Sequence, residues 1–96
     1  MQIQFKDWSC ELVYTRYTDN SRTAIQLIET GTEEPIAMAT VNLPDVDIAE
    51  DEVAIKDYSE NEGMLAALTR HKIVGRPLRY VQSGFVSIPI RKLLER

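Results

Sequence analysis

The sequence predicts an α+β fold: an antiparallel sheet of about five to seven strands with one helix packed across one face. Three observations carry this. Short runs in which apolar and polar residues alternate with period two recur through residues 2–43. Clusters of Asp, Asn, Ser, Thr and Gly separate those runs at hairpin spacing. One stretch only, residues 57–68, combines a helix start with helical apolar spacing. The 96 residues make a single domain, 1–96, able to hold a core without disulfide or metal.

The first strand is expected over residues 2–6, where Ile3 and Phe5 alternate with Gln2, Gln4 and Lys6. A turn at Lys6-Asp7 follows, and Trp8 is large enough to anchor in the core. The second strand, residues 9–17, sets Cys10, Leu12 and Tyr14 on one face and Glu11, Val13, Thr15 and Tyr17 on the other. Thr18-Asp19-Asn20-Ser21 is a turn, because Asp and Asn bond their own backbone and tolerate left-handed dihedrals. The third strand runs over 22–29 and the fourth over 35–43, with Thr30-Gly31-Thr32-Glu33-Glu34 between them. These four read as a meander.

Residues 44–52 form an acidic loop after Pro44, tethered by Val46 and Ile48. A short strand at 53–56 leads into the helix. Ser59 and Glu62 have the spacing of a capping box, and Asp57 with Glu60 offers a second register. Met64, Leu65 and Leu68 make the buried stripe, while Arg70, His71 and Lys72 complement the C-terminal dipole. Gly75-Arg76-Pro77 should turn the chain. Residues 78–81 and 85–90 then form a hairpin about Gln82-Ser83-Gly84, with Pro89 expected at an edge or strand end. Residues 91–96 read as a helical turn or frayed tail. An open sheet leaves edges to protect, so monomer and edge-paired homodimer are both compatible with this pattern.

Charge is divided along the chain. Residues 1–63 hold four basic side chains against fourteen acidic ones, a net of -10. Residues 64–96 hold seven basic side chains and one acid, a net of +6. No apolar run reaches the roughly 20 residues of a membrane-spanning helix. Residues 1–8 lack the n- and h-regions of a signal peptide. A lone cysteine, Cys10, makes no internal disulfide, and a cytoplasmic setting is expected.

Catalytic signals are poor, and no enzyme activity or cofactor is expected. His71 is the single histidine and its helix-end position explains it, which restricts triads and zinc sites. Cys10 lies on a strand with no base nearby in sequence, as a small buried hydrophobe would. No G-x-S-x-G, H-E-x-x-H or phosphate-cradling glycine loop occurs. Asp45-x-Asp47 has the opening spacing of an EF-hand. The glycine position then holds Glu50, and the position of the bidentate Glu holds Lys56, so the pattern fails. A weak hard-cation site on two or three carboxylates is the most that loop offers a metal.

Two surfaces are candidates for binding. The acidic one comprises Asp45, Asp47, Glu50, Asp51 and Glu52 with Glu60 at the helix start, and would face a basic protein partner. The basic one comprises Arg70, Lys72, Arg76, Arg79, Tyr80, Arg91 and Lys92, cations for phosphates and an aromatic for bases. An acidic chain with a sequence pI of about 4.9 is far from the basic domain that nucleic-acid binding favours. If the two halves interleave, these charges pair with each other instead.

The run Ile55-Lys56-Asp57-Tyr58-Ser59-Glu60-Asn61-Glu62-Gly63-Met64-Leu65, with Thr23-Ala24-Ile25-Gln26-Leu27, Ala39-Thr40-Val41-Asn42-Leu43-Pro44 and Lys72-Ile73-Val74-Gly75, resembles a family of small proteins of unknown function carried by bacteria, phages, plasmids and other mobile elements. The resemblance implies a setting among compact accessory genes, many of which encode inhibitors or modulators of host machinery, anti-defence factors included. It supplies no catalytic residues. The expectation is a small non-enzymatic protein docking on a host or phage protein, with a nucleic-acid-binding accessory protein as the alternative.

Overall fold

The computed structural model describes residues 2–94. The chain is α+β, but the strands form two antiparallel sheets rather than one. The first has the order β1-β2-β3-β4: β1 (Gln2–Phe5), β2 (Trp8–Arg16), β3 (Thr23–Glu29) and β4 (Pro35–Met38). The second has the order β5-β7-β6: β5 (Glu52–Ala54), β7 (Val86–Leu93) and β6 (Val74–Ser83). One α-helix, α1 (Met64–Arg70), is present among the described residues, preceded by a 3₁₀ turn over Ser59–Asn61.

The meander forms as alternation predicts. Ile3, Phe5 and Cys10 are buried, and Leu12 and Tyr14 pack partly against the same core. Trp8 departs from expectation. It starts β2 opposite Phe5, stays exposed, and stacks on the Phe5 ring at 6.4 Å between centroids. It covers the core's edge instead of entering it.

The expected fourth strand, 35–43, divides. Pro35–Met38 pairs with β3 as an edge strand, where a proline costs no ladder bond. Residues 39–41 then leave for the second sheet. Thr40 bridges Ile55, flanked by the Val41 N–H donating to the Ala54 carbonyl and the Lys56 N–H donating to the Ala39 carbonyl. The buried Thr40 hydroxyl accepts from the Ile25 N–H and bonds the Tyr17 hydroxyl at 2.9 Å. This crossing divides one expected sheet into two.

The helix is shorter than the capping-box spacing predicts, and the box does not form. Ser59 has φ +55°, whereas an N-cap residue is extended. Gly63 is the N-cap, at φ +99° where glycine is at ease. The cap comes from further back: the Asp57 Oδ1 accepts from the Gly63 and Leu65 N–H groups at 3.1 and 2.9 Å. The buried stripe is Met64, Ala67 and Leu68, with Leu65 partly buried. The helix packs against β1 and the start of β6. It ends in a Schellman motif with Lys72 in the left-handed region at φ +61°. The Ile73 N–H donates to the Leu68 carbonyl and the Lys72 N–H to the Thr69 carbonyl.

Three further expectations are corrected in the C-terminal third. Gly75-Arg76-Pro77 is not a turn but an irregular part of β6, with register shifts on either side of Pro77. Residues 91–93 are neither helix nor tail but the end of β7; Glu95 and Arg96 lie outside the described residues. Pro89 sits in the central strand of its sheet. The two-residue turn makes Ser83↔Val86 a hydrogen-bonded pair, and alternation makes Tyr80↔Pro89 a non-bonded one. Pro89 thus faces β5, where its carbonyl accepts from Ile55 just as that ladder ends, so its missing N–H removes no bond from β6.

The core has two parts. The larger gathers Ile3, Phe5, Ile25, Leu27, Ile55, Met64, Leu68, Ile73 and Leu93, from both sheets and the helix. The smaller joins Ala54, Ile88 and Ile90, covered by Leu43, Ile48, Tyr58 and Val81. Ile48 packs on the smaller core and Val46 is half-buried, its carbonyl accepting from Arg22, so the loop is tethered at both apolar residues. Among the described residues no helix is long and apolar enough to cross a membrane.

Candidate functional site

The acidic loop lies against the β6–β7 hairpin, and the two halves of the chain meet there. Part of the charge asymmetry is consumed in that meeting. Asp51 pairs with Lys92 at 2.5 Å, and Glu52 with Arg79 at 3.3 Å. Glu52 also accepts from the Ala49 N–H at 3.1 Å, closing the loop on itself.

The remaining clamps take hold of the backbone. Arg22, reaching from β3's approach, donates to the Leu43 carbonyl at 2.7 Å and the Val46 carbonyl at 2.6 Å. Arg79 donates to the Asp47 carbonyl at 2.5 Å. Charged donors make these bonds stronger than neutral ones. A loop held by its carbonyls keeps its side chains outward. Asp45, Asp47 and Glu50 are exposed, and among the described residues no hydrogen bond or ion pair engages their carboxylates.

Glu60 lies apart from this loop. Its carboxylate accepts from Lys56 at 2.7 Å and its carbonyl from Lys6 at 2.7 Å. The Lys56 hydrogen bond holds the Glu60 carboxyl below its usual range, and the same bond raises the Lys56 ammonium. The acidic candidates therefore divide three ways: a clamped, outward trio (Asp45, Asp47, Glu50), two tied acids (Asp51, Glu52), and a separate pair at Glu60. Arg22 carries no sequence signal as a clamp, since its partners are carbonyls some 20 positions along the chain.

The basic candidates are similarly engaged. Arg70 donates to the Gln4 carbonyl at 3.1 Å and the Arg91 Nε to the Gly75 carbonyl at 2.7 Å. Arg79 and Lys92 hold the acidic loop. Lys72 and Arg76 remain exposed, as does Tyr80. They occupy the helix end, a bulged stretch and the strand beyond it, not one stripe.

Clefts flank the loop. One, of about 360 Å³, lies between it and the β2–β3 turn, with Arg16, Arg22, Glu50 and Glu52 among its walls. Another, of about 430 Å³, is lined by Asp47, Ala49, Glu52 and Arg79. A third, of about 330 Å³, lies between the loop and the hairpin, with Leu43, Val46 and Val81 among its walls. Phe85 stands fully exposed at the hairpin turn. Its place in a two-residue turn after Gly84 marks it as a tip residue.

No protein-family model, curated protein or solved structure matches this chain. The site's chemistry is therefore read from its own residues. His71 Nε2 accepts from the Gln4 N–H at 3.2 Å, so with Arg70 it covers both backbone groups of that edge-strand residue. Cys10 is buried, and burial with the nearby Glu29 charge raises its thiol above the ordinary range, the reverse of an activated nucleophile. Among the described residues no group of three His, Cys, Asp or Glu side chains is placed to hold a metal ion.

Proposed function

We propose that this protein is a small non-enzymatic binding module that presents its acidic loop to a basic surface of a partner protein. The observation that supports this best is the manner in which the loop is held. Arg22 and Arg79 bind carbonyls, leaving Asp45, Asp47 and Glu50 outward on a fixed backbone. A preorganised charged loop loses little conformational entropy on binding and steers a basic partner toward it. The resemblance to small mobile-element proteins makes a host or phage protein the partner we favour, with inhibition or modulation as the outcome.

The test is capture of the tagged protein's partners from host-cell lysate, with and without nuclease. It compares wild type with the triple variant Asp45→Lys, Asp47→Lys, Glu50→Lys. Asp51 and Glu52 are left alone because they pair within the molecule. A nuclease-resistant protein held by wild type and lost by the variant is expected; undiminished capture by the variant would sink the reading. The nucleic-acid alternative has less support, because Arg79 and Lys92 pair with carboxylates and Arg70 and Arg91 with carbonyls.

A further inference from the structure

The cleft between the acidic loop and the β6–β7 hairpin has a composition unlike the loop itself. Its walls carry Asn42, Leu43, Pro44 and Val46 on one side and Val81, Gln82 and Ser83 of the hairpin on the other, with Asp45 beside them, so apolar and polar groups alternate along it. Leu43, Val46 and Val81 are only half-buried there, although Leu43 and Val81 also cover the smaller core. The volume of about 330 Å³ is at the low end for a ligand cleft, room for one or two side chains.

Both walls are fixed before anything binds. Arg22 holds the loop wall at the Leu43 and Val46 carbonyls. The hairpin wall ends in a tight turn: Gly84 has φ +59°, and the Gln82 Nε2 donates to its carbonyl at 3.2 Å. A two-residue turn with positive φ at its first central position only is of type II′, which suits the strand twist. That turn leaves Phe85 fully exposed two residues beyond Ser83. Exposed aromatics on rigid elements are the usual anchors of interfaces.

We propose that this groove docks a basic segment of the partner protein: an apolar side chain fills the cleft, a flanking cation meets Asp45, and Phe85 supplies the aromatic anchor. The proposal rests on the acidic-loop reading and adds the apolar half of the recognition. Charge selects the occupant. A second copy of this chain would bring its own acidic loop and a net charge of -4 against the rim. A nucleic acid would meet the carboxylates with phosphates.

The test is a titration of the ¹⁵N-labelled protein with two acetylated, amidated pentapeptides, Lys-Leu-Lys-Leu-Lys and Lys-Gly-Lys-Gly-Lys, followed by amide shifts. The leucine peptide should perturb the amides of residues 43–46 and 81–85 and bind about tenfold tighter than the glycine peptide, since burying one leucine is worth at least that factor. Phe85→Ser, which alters no packed side chain, should bring the leucine peptide down toward the glycine peptide's affinity. Equal affinities, with shifts confined to Asp45, Asp47 and Glu50, would overturn the groove and leave the acidic-loop reading standing. No shift with either peptide would overturn both. Concentration-dependent shifts of the same amides without peptide would overturn the proposal in favour of self-association.

Discussion

Asn61 shows how much one side chain decides. It is buried beneath the start of the helix, and its Nδ2 donates to the Met38 carbonyl at 2.6 Å and the Lys56 carbonyl at 3.1 Å. It thereby ties the 3₁₀ turn to the end of β4 and to the segment that enters it. Asn61→Ala leaves two carbonyls without their donor and should cost about 1–3 kcal/mol in chemical denaturation. Asn61→Asp should cost more at neutral pH, because a carboxylate would face two carbonyl oxygens out of water. Its folded-state pKa would be raised, so the folded state would hold the proton more tightly and this variant should regain stability as pH falls. Equal stabilities of the Ala and Asp variants across that pH range would contradict the assignment. In sequence Asn61 is one polar residue in a polar run, and neither periodicity nor propensity distinguishes it.

At the scale of the element, the helix is a short one whose ends are decided by backbone geometry. Seven residues are marginal for an isolated helix, so α1 depends on its packing and its caps. The N-terminal cap comes from Asp57 across the 3₁₀ turn. At the C-terminus, Lys72 occupies a left-handed position that disfavours any side chain. Its own side chain is exposed, so Lys72→Gly relieves strain without removing packing. The expected gain is about 1 kcal/mol, with a melting temperature about 4–8 °C higher. An unchanged or lower melting temperature would show that Lys72 holds this position at no cost. The sequence locates this helix by its apolar spacing, but Ser59-x-x-Glu62 points to the wrong cap. A capping box is a local pattern, and here Ser59 is taken into the left-handed region while Asn61 is drawn inward.

At the scale of the whole molecule, two sheets share one interior. Val53, Ile55, Val74 and Leu93 of the second sheet and its flanks pack into the same core as Ile3, Ile25 and Leu27 of the first. The Thr40↔Ile55 bridge joins them through hydrogen bonds. Neither sheet can keep its buried face if the other unfolds. Denaturation should therefore be one transition, with Trp8 fluorescence, which reports on the first sheet, coincident with far-UV circular dichroism. Separate midpoints would mean that the smaller sheet melts alone.

The sequence by itself determined the class of this protein, its first three strands, the presence of one helix and the acidic loop after Pro44. Those are written in period-two and helical patterns, which depend only on near neighbours. It also established the two charged halves. Only the tertiary structure decided that residues 39–41 cross between sheets, that Pro89 sits in a central strand, and which charges are used internally. Each depends on partners distant in the chain: Ile55 for Thr40, β5 for Pro89, Lys92 for Asp51, Arg79 for Glu52. A charge in a sequence has a sign but no neighbour across space. The fold supplies the neighbours, and so separates the acids that hold the loop from those left to face a partner.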